Sequence, residues 1–303
     1  MKVLVTGAAS PRGRLVIAHL HAQKHEVVGI DTESWPDPPS GVKLHVLDIR
    51  KRGFEDLMRR QRFDAVVHLA VHAGFRLPPA ERHRLNLEGT GKVVELAAEH
   101  GVKQLVVASH ASVYGALPDN PYFMTEDAPP QVGRSFPEMQ DLVTADLLAS
   151  SAMWKHPKLS IVVLRPVHSL GPTSRDVMAQ LLRRKRFPTV LGFDPMIQVM
   201  HESDLARAFG VALQNGARGV YNVTGPGEVP LSVLIEEAGA RAMPVPELVL
   251  ALVIGRFGLP EAGSGALDFL KHPCLVDGSR FREATGFEPE RSLRETVRSM
   301  RAH

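Results

Sequence analysis

The chain has 303 residues, of which 44% are hydrophobic and 23% are charged. These proportions supply a core for one large α/β unit or two lobes, and they exclude disordered, collagen-like and coiled-coil proteins. Lysine and arginine number 36 against 33 aspartates and glutamates, so the formal net charge is +3. That surplus is too small over this length for a nucleic-acid-binding surface.

Individual residues and segments narrow the class of protein further. Cys274 is the only cysteine, which excludes intrachain disulfides and cysteine-based zinc sites and favours a buried thiol without a redox role. The N-terminus runs straight into a strand-like segment, which is not typical of a secretory signal. The most apolar stretch, residues 248–254, is far shorter than the roughly 20 residues that cross a bilayer. We therefore expect a cytoplasmic protein with no membrane partner.

Two segments of the second half allow more than one interpretation. The longest basic run, residues 183–186, could meet phosphate or a membrane surface, but no second basic cluster accompanies it. A solvated helix end is the favoured interpretation. Residues 246–254 could form a lid or a partner-facing helix, and a buried helix is favoured there.

Strand-like and helix-like stretches alternate along the first half. Short β-branched runs predict strands at residues 2–6, 26–30, 43–47, 63–70, 104–108 and 159–164. Between them, helices are predicted at residues 12–23, 54–61, 79–100 and 137–151. Later helical segments are predicted near residues 177–186, 203–214, 231–240 and 293–300. Such alternation favours an α/β fold in which a doubly wound parallel sheet (residues 1–170) precedes a smaller lobe (171–303) that partly returns to it.

A glycine-containing loop follows the first strand, with the sequence TGAASPRG at residues 6–13. Small residues there let the backbone approach a pyrophosphate at a helix N-terminus. Asp31 ends the next strand, where a carboxylate can bind the adenosine ribose hydroxyls and repel a 2′-phosphate, favouring NAD over NADP. Ser10 stands where a glycine is expected and could crowd or bind the pyrophosphate, and Arg12 could offer charge to a 2′-phosphate.

Further motifs occur in order along the chain. They are DIR at 48–50, HLA at 68–70, NLEGT at 86–90, GVKQLVVAS at 101–109, SVYG at 112–115, TED at 125–127, LRP at 164–166 with GP at 171–172, HESD at 201–204, and YNV at 221–223. Together with the glycine loop, they resemble the extended short-chain dehydrogenase/reductases, the NAD-dependent epimerase/dehydratase group acting on nucleotide sugars and related alcohols. The resemblance spans most of the chain.

The resemblance implies a Rossmann-like fold, NAD as cofactor, a small-molecule substrate in the cleft and a possible homodimer. It also implies a set of cofactor-binding residues at the ends of the strands. These are Gly7, Ala9, Ser10, Pro11, Arg12, Gly13, Asp31, Asp48, Ile49, Leu69, Ala70, Val71, Asn86, Ala108, Ser109 and Pro166.

The catalytic pair of that family, Tyr-x-x-x-Lys, is not found. No tyrosine has a lysine four residues later, and no lysine occurs between Lys103 and Lys155. Aligning Asp146 with the family's helix glutamate puts Glu138 at the tyrosine position and Leu142 at the lysine position; the alternative register puts Phe136 and Gln140 there. His110 stands where the family has a serine or threonine.

Three hypotheses about function follow. The leading one is a dinucleotide-binding homologue with impaired redox activity, serving as a binding or regulatory protein. The second is an active oxidoreductase or epimerase with a substituted proton relay, for which His110 and Glu138 are the candidates, although a pocket-lining histidine and a surface carboxylate are the plainer interpretation. The third is a remnant fold in which Ser10 blocks the loop. A metal site at His68 and His72 is not favoured, because His68 ends a strand and their side chains would diverge.

Overall fold

A parallel sheet runs through the part of the chain that the computed structural model describes, residues 1–72, 77–214, 216–253 and 264–301. In these ranges its strands, numbered along the whole chain, are β1 (Lys2–Thr6), β2 (Glu26–Asp31), β3 (Lys43–Val46), β4 (Ala65–His68), β5 (Gln104–Ala108), β6 (Ser160–Pro166) and β10 (Gly219–Val223). They lie in the order β10-β6-β5-β4-β1-β2-β3. The order reverses between β1 and β4, which opens a crevice at their carboxyl ends.

Helices cover both faces of the sheet, which is why the middle positions of its central strands are apolar, while polar residues such as Thr6 and His68 stand at strand ends. One face carries α1 (Pro11–Ala22) and α7 (Glu202–Gln214), which pack on each other. The other face carries α2 (Arg52–Arg60), α4 (Thr90–Glu99) and α5 (Gln140–Lys155). Each face has its own buried hydrophobic cluster. The doubly wound sheet predicted from the sequence is therefore confirmed.

The helix predicted over residues 79–100 is interrupted. It consists of α3 (Pro79–Arg84), a π-helical segment over Leu85–Gly89 and then α4. The π-helical segment contains Asn86, whose side chain is fully buried. Such a local widening re-aims side chains at functional sites. Here it places Asn86 against the chain segment that leaves β4.

The smaller lobe contains more strands than the sequence predicted. A three-stranded sheet joins β7 (His168–Leu170), β9 (Met196–His201) and β11 (Glu228–Pro230), and β8 (Arg186–Val190) pairs with β12 (Arg241–Val245). Its helices are α6 (Val177–Leu182), α8 (Leu231–Glu237), α9 (Glu247–Val253), α10 (Ser279–Thr285) and α11 (Leu293–Ser299). Two of these strands, β7 and β11, have only three residues, and β8 and β12 each contain a proline, so the sequence pattern does not reveal them.

The basic run at residues 183–186 lies at the end of α6, with Arg183 as its C-cap, and three of its four residues are exposed, as expected for a solvated helix end. Helix α6 ends at Leu182, and Arg186 already begins β8. The Arg183 guanidinium donates to the carbonyl oxygens of Gly171 at 2.6 Å and Ser174 at 2.7 Å. Arg183 therefore fastens the loop between β7 and α6 to the end of α6.

Helix α9 is also less buried than expected. Leu250 is buried, but Leu248 is 82% exposed and Leu252 is 70% exposed. Ile254, the end of the predicted helix, lies outside the described residues. None of the helices in the described ranges combines the length and apolarity that a bilayer span requires.

Candidate functional site

The residues predicted to bind a dinucleotide all lie at or just beyond the carboxyl ends of the strands or in the segments that follow them. The glycine loop follows β1, and Asp31 ends β2. The others follow in the same way: Asp48 and Ile49 after β3, Leu69, Ala70 and Val71 after β4, Asn86 in the π-helical segment, Ala108 and Ser109 at the end of β5, and Pro166 at the end of β6. One edge of one sheet thus carries the whole set.

The glycine loop is compact because two glycines allow close contacts. Gly7 has φ +71°, and a Cβ at Gly13 would overlap the Gly7 carbonyl oxygen. Ser10 caps helix α1: its hydroxyl donates to Gly7 O at 2.7 Å and accepts the Gly13 amide at 3.0 Å. The Ser10 side chain is therefore folded into the loop rather than extended toward the crevice.

Asp31 is tied to the same loop. One carboxylate oxygen accepts the Ala9 amide at 2.9 Å, and the other accepts the Glu33 amide at 3.1 Å. These bonds fix a negative charge beside the start of helix α1. Each carboxylate oxygen retains acceptor capacity for a ligand hydroxyl.

His68 is a core histidine. Its Nδ1 lies 2.7 Å from the Thr6 hydroxyl, and its Nε2 lies 3.0 Å from the Thr90 hydroxyl. Burial lowers the pKa of His68 to about 3, so the ring is neutral. One ring nitrogen thus has a partner on β1 and the other a partner on α4, and the Thr6 hydroxyl also accepts the Ala70 amide at 3.2 Å. His68 therefore fixes the chain that leaves β4 beside the glycine loop.

Asn86 and Asp48 each have protein partners. The Asn86 amide donates to His72 O at 2.9 Å and to Asp141 at 3.0 Å, and its oxygen accepts the His72 amide. Asp48 pairs with Arg50 at 2.7 Å, and the hydrogen bonds from Arg50 hold the pKa of Asp48 below its usual value. Asn86 thus positions residues 71–72 at the edge of the site.

A buried ion pair fixes helix α5 against the sheet. Arg165, at the end of β6, binds Asp146 at 2.5 Å, and both side chains are almost completely buried. Ser109 also donates to Asp146, at 2.5 Å. Arg165 additionally donates to the Tyr114 hydroxyl at 2.7 Å. The position of Asp146 therefore sets which residues of α5, and of the turn before it, face the sheet edge.

The two positions that correspond to the tyrosine–lysine pair differ in environment. Leu142 is buried in the core, while Glu138 is exposed on a short 3-10 helix, Pro137–Met139. The hydrogen bonds and ion pairs of His110 do not include Glu138. The main-chain oxygen of Glu138 accepts from Arg82, which also pairs with Asp141 at 2.9 Å. The structure thus does not bring His110 and Glu138 together.

His110 instead meets two residues of the smaller lobe. Its Nε2 lies 3.6 Å from Asp176, and its ring centre lies 5.1 Å from that of His168. His168 Nδ1 lies 2.9 Å from the other oxygen of Asp176. Their ring nitrogens and carboxylate oxygens lie within 4.8 Å of one another, the one such cluster of potential metal ligands in the described ranges. We name these three residues the histidine–aspartate cluster.

Within this cluster, the neighbouring charges shift the pKa values in the direction opposite to burial. Burial raises the pKa of Asp176, but the charge of His168 and hydrogen bonds from both histidines outweigh it and hold that pKa well below the ordinary value. Burial lowers the pKa of His110, and the nearby Asp176 offsets this only in part. For His168, burial is outweighed by Asp176, so the pKa is raised. His110 is therefore neutral near pH 7, whereas His168 holds its proton more tightly than a free histidine.

Sequence reasoning missed His168 and Asp176. His168 follows Pro166 by two residues, and β6 lies beside β5, after which His110 comes. Two histidines after the ends of adjacent parallel strands are expected to lie close together, so this signal was present. Asp176 lies in the loop before α6, where no pattern predicts its direction.

The comparisons with known proteins agree with this architecture. Residues 3–224 match the model of the NAD dependent epimerase/dehydratase family. The 3-diazoavenalumate denitrifying reductase of a Streptomyces species is 30% identical over 242 residues, covering 74% of this chain and 76% of that protein. An uncharacterised Mycobacterium bovis protein is 26% identical over 306 residues, covering 95% and 80%.

Solved structures show the same fold. The UDP-glucose 4-epimerase of Thermus thermophilus, in a complex with NAD, superimposes with a TM-score of 0.77 at 24% identity, covering 100% of this chain and 99% of that chain. The family match spans well over half of this chain and follows the strand-end motifs in order. This chain belongs to the NAD dependent epimerase/dehydratase family.

Proposed function

We propose that this protein is an NAD-dependent oxidoreductase whose proton transfer does not use a tyrosine–lysine pair. The observation that carries the proposal is the histidine–aspartate cluster at the carboxyl end of the sheet, beside the glycine loop. Clusters of ionisable groups with shifted pKa values are typical of acid–base sites. Hydride exchange at a carbinol or carbonyl carbon needs such a group to exchange the oxygen's proton.

The residues of the loop fit the dinucleotide. Gly7 and Gly13 keep its backbone close to the helix start, and Asp31 places a carboxylate where a ribose would bind. The Arg12 amide lies in the first turn of α1, where backbone amides can donate to a phosphate oxygen. A negative charge at Asp31 favours NAD over NADP. Bound NAD would supply or accept the hydride.

The relatives support the redox class without fixing the substrate. The Streptomyces relative is a reductase by name, and the Thermus neighbour is a UDP-glucose epimerase crystallised with NAD. Both names are compatible with chemistry at an oxygen-bearing or otherwise reducible carbon. We propose a nucleotide sugar or a related small alcohol or carbonyl compound as the substrate.

Calorimetric titration with NAD, NADH, NADP and NADPH tests the cofactor assignment. We expect the NAD forms to bind more tightly, and Asp31→Asn to shift the NADP-to-NAD affinity ratio toward NADP by about tenfold, equivalent to about 1.4 kcal/mol. Asp37→Asn, an exposed aspartate in the following loop, is the matched control and leaves the ratio unchanged. If no dinucleotide binds, the proposal fails.

A second candidate function is dinucleotide-dependent binding or regulation without turnover. The observation that favours it is the environment of the two family positions, where Leu142 is buried in the core and Glu138 is exposed. A turnover assay separates the two candidate functions. The NAD-loaded protein is incubated with UDP-glucose, UDP-glucuronic acid and dTDP-glucose, products are resolved by chromatography, and NADH is followed by absorbance. NADH is then offered with simple aldehydes and ketones. Turnover of any of these supports the oxidoreductase, and NAD binding with no turnover supports the regulatory function.

A further inference from the structure

The histidine–aspartate cluster is assembled from two lobes. His110 follows β5 of the main sheet, His168 begins β7 of the smaller lobe, and Asp176 caps the N-terminus of α6. The side chains of His110 and Asp176 are 11% and 6% exposed, and that of His168 is 23% exposed. His168 is thus the most solvent-accessible member of the cluster.

The protonation of His110 follows from its backbone contact. Its Nδ1 accepts the Ser112 amide at 3.0 Å, and an amide N–H can only donate. Since the lowered pKa of His110 keeps the ring neutral, the single proton is on Nε2. His110 Nε2 lies 3.6 Å from Asp176, just beyond hydrogen-bond distance. The proton on Nε2 therefore lies on the side of the ring nearer the carboxylate.

This tautomer argues against a metal at the cluster. A ligating histidine nitrogen must present a lone pair, whereas His110 Nε2 carries hydrogen. The Arg12 guanidinium also lies close enough to be attracted by Asp176, and it adds positive charge beside the cluster. The spacing alone would permit a metal ion, but the hydrogen bonds and charge do not favour one.

Asp176 is held by more than the two histidines. Its Oδ1 accepts the Met178 amide and His168 Nδ1–H, each at 2.9 Å, and its Oδ2 accepts the Ser169 amide at 3.3 Å. A carboxylate fixed in this way keeps the Nδ1 proton on His168 and leaves Nε2 as the exchanging atom. Among the described residues, His168 Nε2 has no hydrogen-bond partner.

A small cavity adjoins both rings. Its free volume is about 20 Å³, and its lining includes His110, Ser112, His168, Gln198 and Cys274. That space suits one water molecule or one substrate oxygen. Burial raises the pKa of Cys274 to about 12, so its thiol is protonated and adds no charge to the cavity.

We propose that His168 is the proton-transferring residue of this site, with Nε2 as the reacting atom, and that Asp176 and His110 position it. The inference rests on the oxidoreductase function proposed above. In oxidation, neutral His168 removes the proton from the substrate hydroxyl, the C–H bond breaks as hydride leaves for the bound NAD, and the C–O single bond becomes C=O. In reduction, protonated His168 returns the proton to the carbonyl oxygen as its carbon receives hydride from NADH.

The direction of the pH dependence follows from the neighbouring charges. Asp176 before α6, His110 after β5 and Arg12 on α1 are the ionisable groups that face His168 or its carboxylate partner. Burial opposes the charged ring, and Asp176 outweighs burial. Reduction, which needs protonated His168, is therefore expected to slow as pH rises above the ordinary histidine range. Asp176→Asn is expected to move that fall to lower pH.

Histidine NMR of the NAD-loaded protein tests the geometry without a substrate. The signal lost in His168→Asn is expected to titrate at Nε2, to keep its Nδ1 proton throughout, and to titrate above the ordinary histidine pKa. Asp176→Asn is expected to lower that pKa, and Asp176→Glu to restore it in part. If His168 titrates at Nδ1, or its pKa is insensitive to Asp176→Asn, the inference is overturned. If added Zn²⁺ shifts or broadens the NMR signals of both His110 and His168, the cluster is a metal site and the inference is overturned.

Turnover on the substrate panel described above tests the role. We expect His168→Asn to reduce the rate at least a hundredfold with NAD affinity unchanged, and His83→Asn, an exposed histidine on α3, to match the wild type. Full activity in folded His168→Asn overturns this inference and leaves the oxidoreductase function standing. No turnover by the wild type overturns the oxidoreductase function and, with it, the catalytic role of His168.

Discussion

The cofactor edge and the catalytic corner of this protein lie at the ends of the same strands, yet they differ in how closely they follow their family. At the cofactor edge, from the glycine loop to the Asp146–Arg165 pair, the family motifs are present and their side chains are tied by buried hydrogen bonds. On α5 and the turn before it, a leucine and an exposed glutamate stand at the positions that correspond to the family's catalytic pair. Two histidines and an aspartate gather elsewhere, at the corner between β5, β6 and the loop before α6.

The difference reflects what each region requires. Binding a dinucleotide depends mainly on backbone approach at strand ends, so tight glycines and a few fixed polar groups maintain it. Proton transfer depends on one ionisable atom at the right distance from the reacting oxygen. Such an atom can be supplied by a different element, here by β7 of the smaller lobe, without altering the sheet.

The largest expected effect is a loss of stability in acid, caused by His68 at the cofactor edge. The pKa of His68 is about 3 in the folded protein against 6.5 unfolded, so its contribution is complete above pH 6.5 and is lost as pH falls toward 3. The free energy of unfolding should fall by about 1.4 kcal/mol per pH unit, or about 5 kcal/mol in all. Urea unfolding of wild type and His68→Gln between pH 7 and pH 4 measures the difference in slope, and equal slopes would contradict it.

At the catalytic corner, His168 is expected to change stability with pH in the direction opposite to that of His68. Its pKa is raised, so its contribution to stability is complete below the unfolded histidine pKa and is lost as pH rises through the folded value. In the same urea series continued to alkaline pH, His168→Asn should remove that decline while leaving the acid slope of His68 in place. If both histidines changed the free energy of unfolding with pH in the same direction, the contrast between the two regions would be lost.

Breaking the buried ion pair comes next. Asp146→Asn leaves the Arg165 guanidinium, only 3% exposed, without its compensating charge, and should destabilise the protein by about 3–5 kcal/mol. Glu95→Gln is the control, since Glu95 and Lys155 are both 67% exposed, and should cost less than about 1 kcal/mol. Chemical denaturation measures the stability of both variants. Similar losses of stability would mean that burial does not make the Arg165–Asp146 pair more important than an exposed pair.

The glycine loop gives a smaller effect on stability and a clear effect on binding. Gly13→Ala places a methyl group against the Gly7 carbonyl and 2.9 Å from Ala8 Cα, which should cost about 1–3 kcal/mol and abolish NAD binding. In Gly91→Ala on α4, the new methyl group meets only Leu148, at 3.7 Å. That variant should be as stable as wild type or up to about 1 kcal/mol more stable, with normal NAD binding by calorimetry. NAD binding retained by Gly13→Ala would show that the close approach is not needed.

The smallest effect is expected at Ser10. Its hydroxyl caps α1 rather than filling the crevice, so Ser10→Gly should change stability by only a few tenths of a kcal/mol and NAD affinity by less than about twofold. Ser10→Ala, which loses the cap, should cost about 1 kcal/mol. A large gain in NAD affinity in Ser10→Gly would instead identify the serine as an obstruction and weaken the contrast between the two regions.

The sequence was informative where local rules govern structure. Alternating apolar runs predicted the strands of the parallel sheet, and the glycine spacing with Asp31 predicted a dinucleotide-binding edge. The sequence was less informative in the smaller lobe, where β7 and β11 have three residues each and β8 and β12 each contain a proline. Helix 79–100 also hid its π-helical segment, because periodicity does not reveal one inserted residue.

The sequence by itself therefore determined the fold and the lack of a tyrosine–lysine pair and predicted a dinucleotide-binding edge, since each follows from residue order along one strand or helix. It paired His110 with Glu138 only as a candidate relay. The tertiary structure decided that His110 meets Asp176 and His168, because these residues are separated in sequence and come together only when the smaller lobe packs on the sheet edge. Which ring nitrogen of His168 is left free depends on that packing as well.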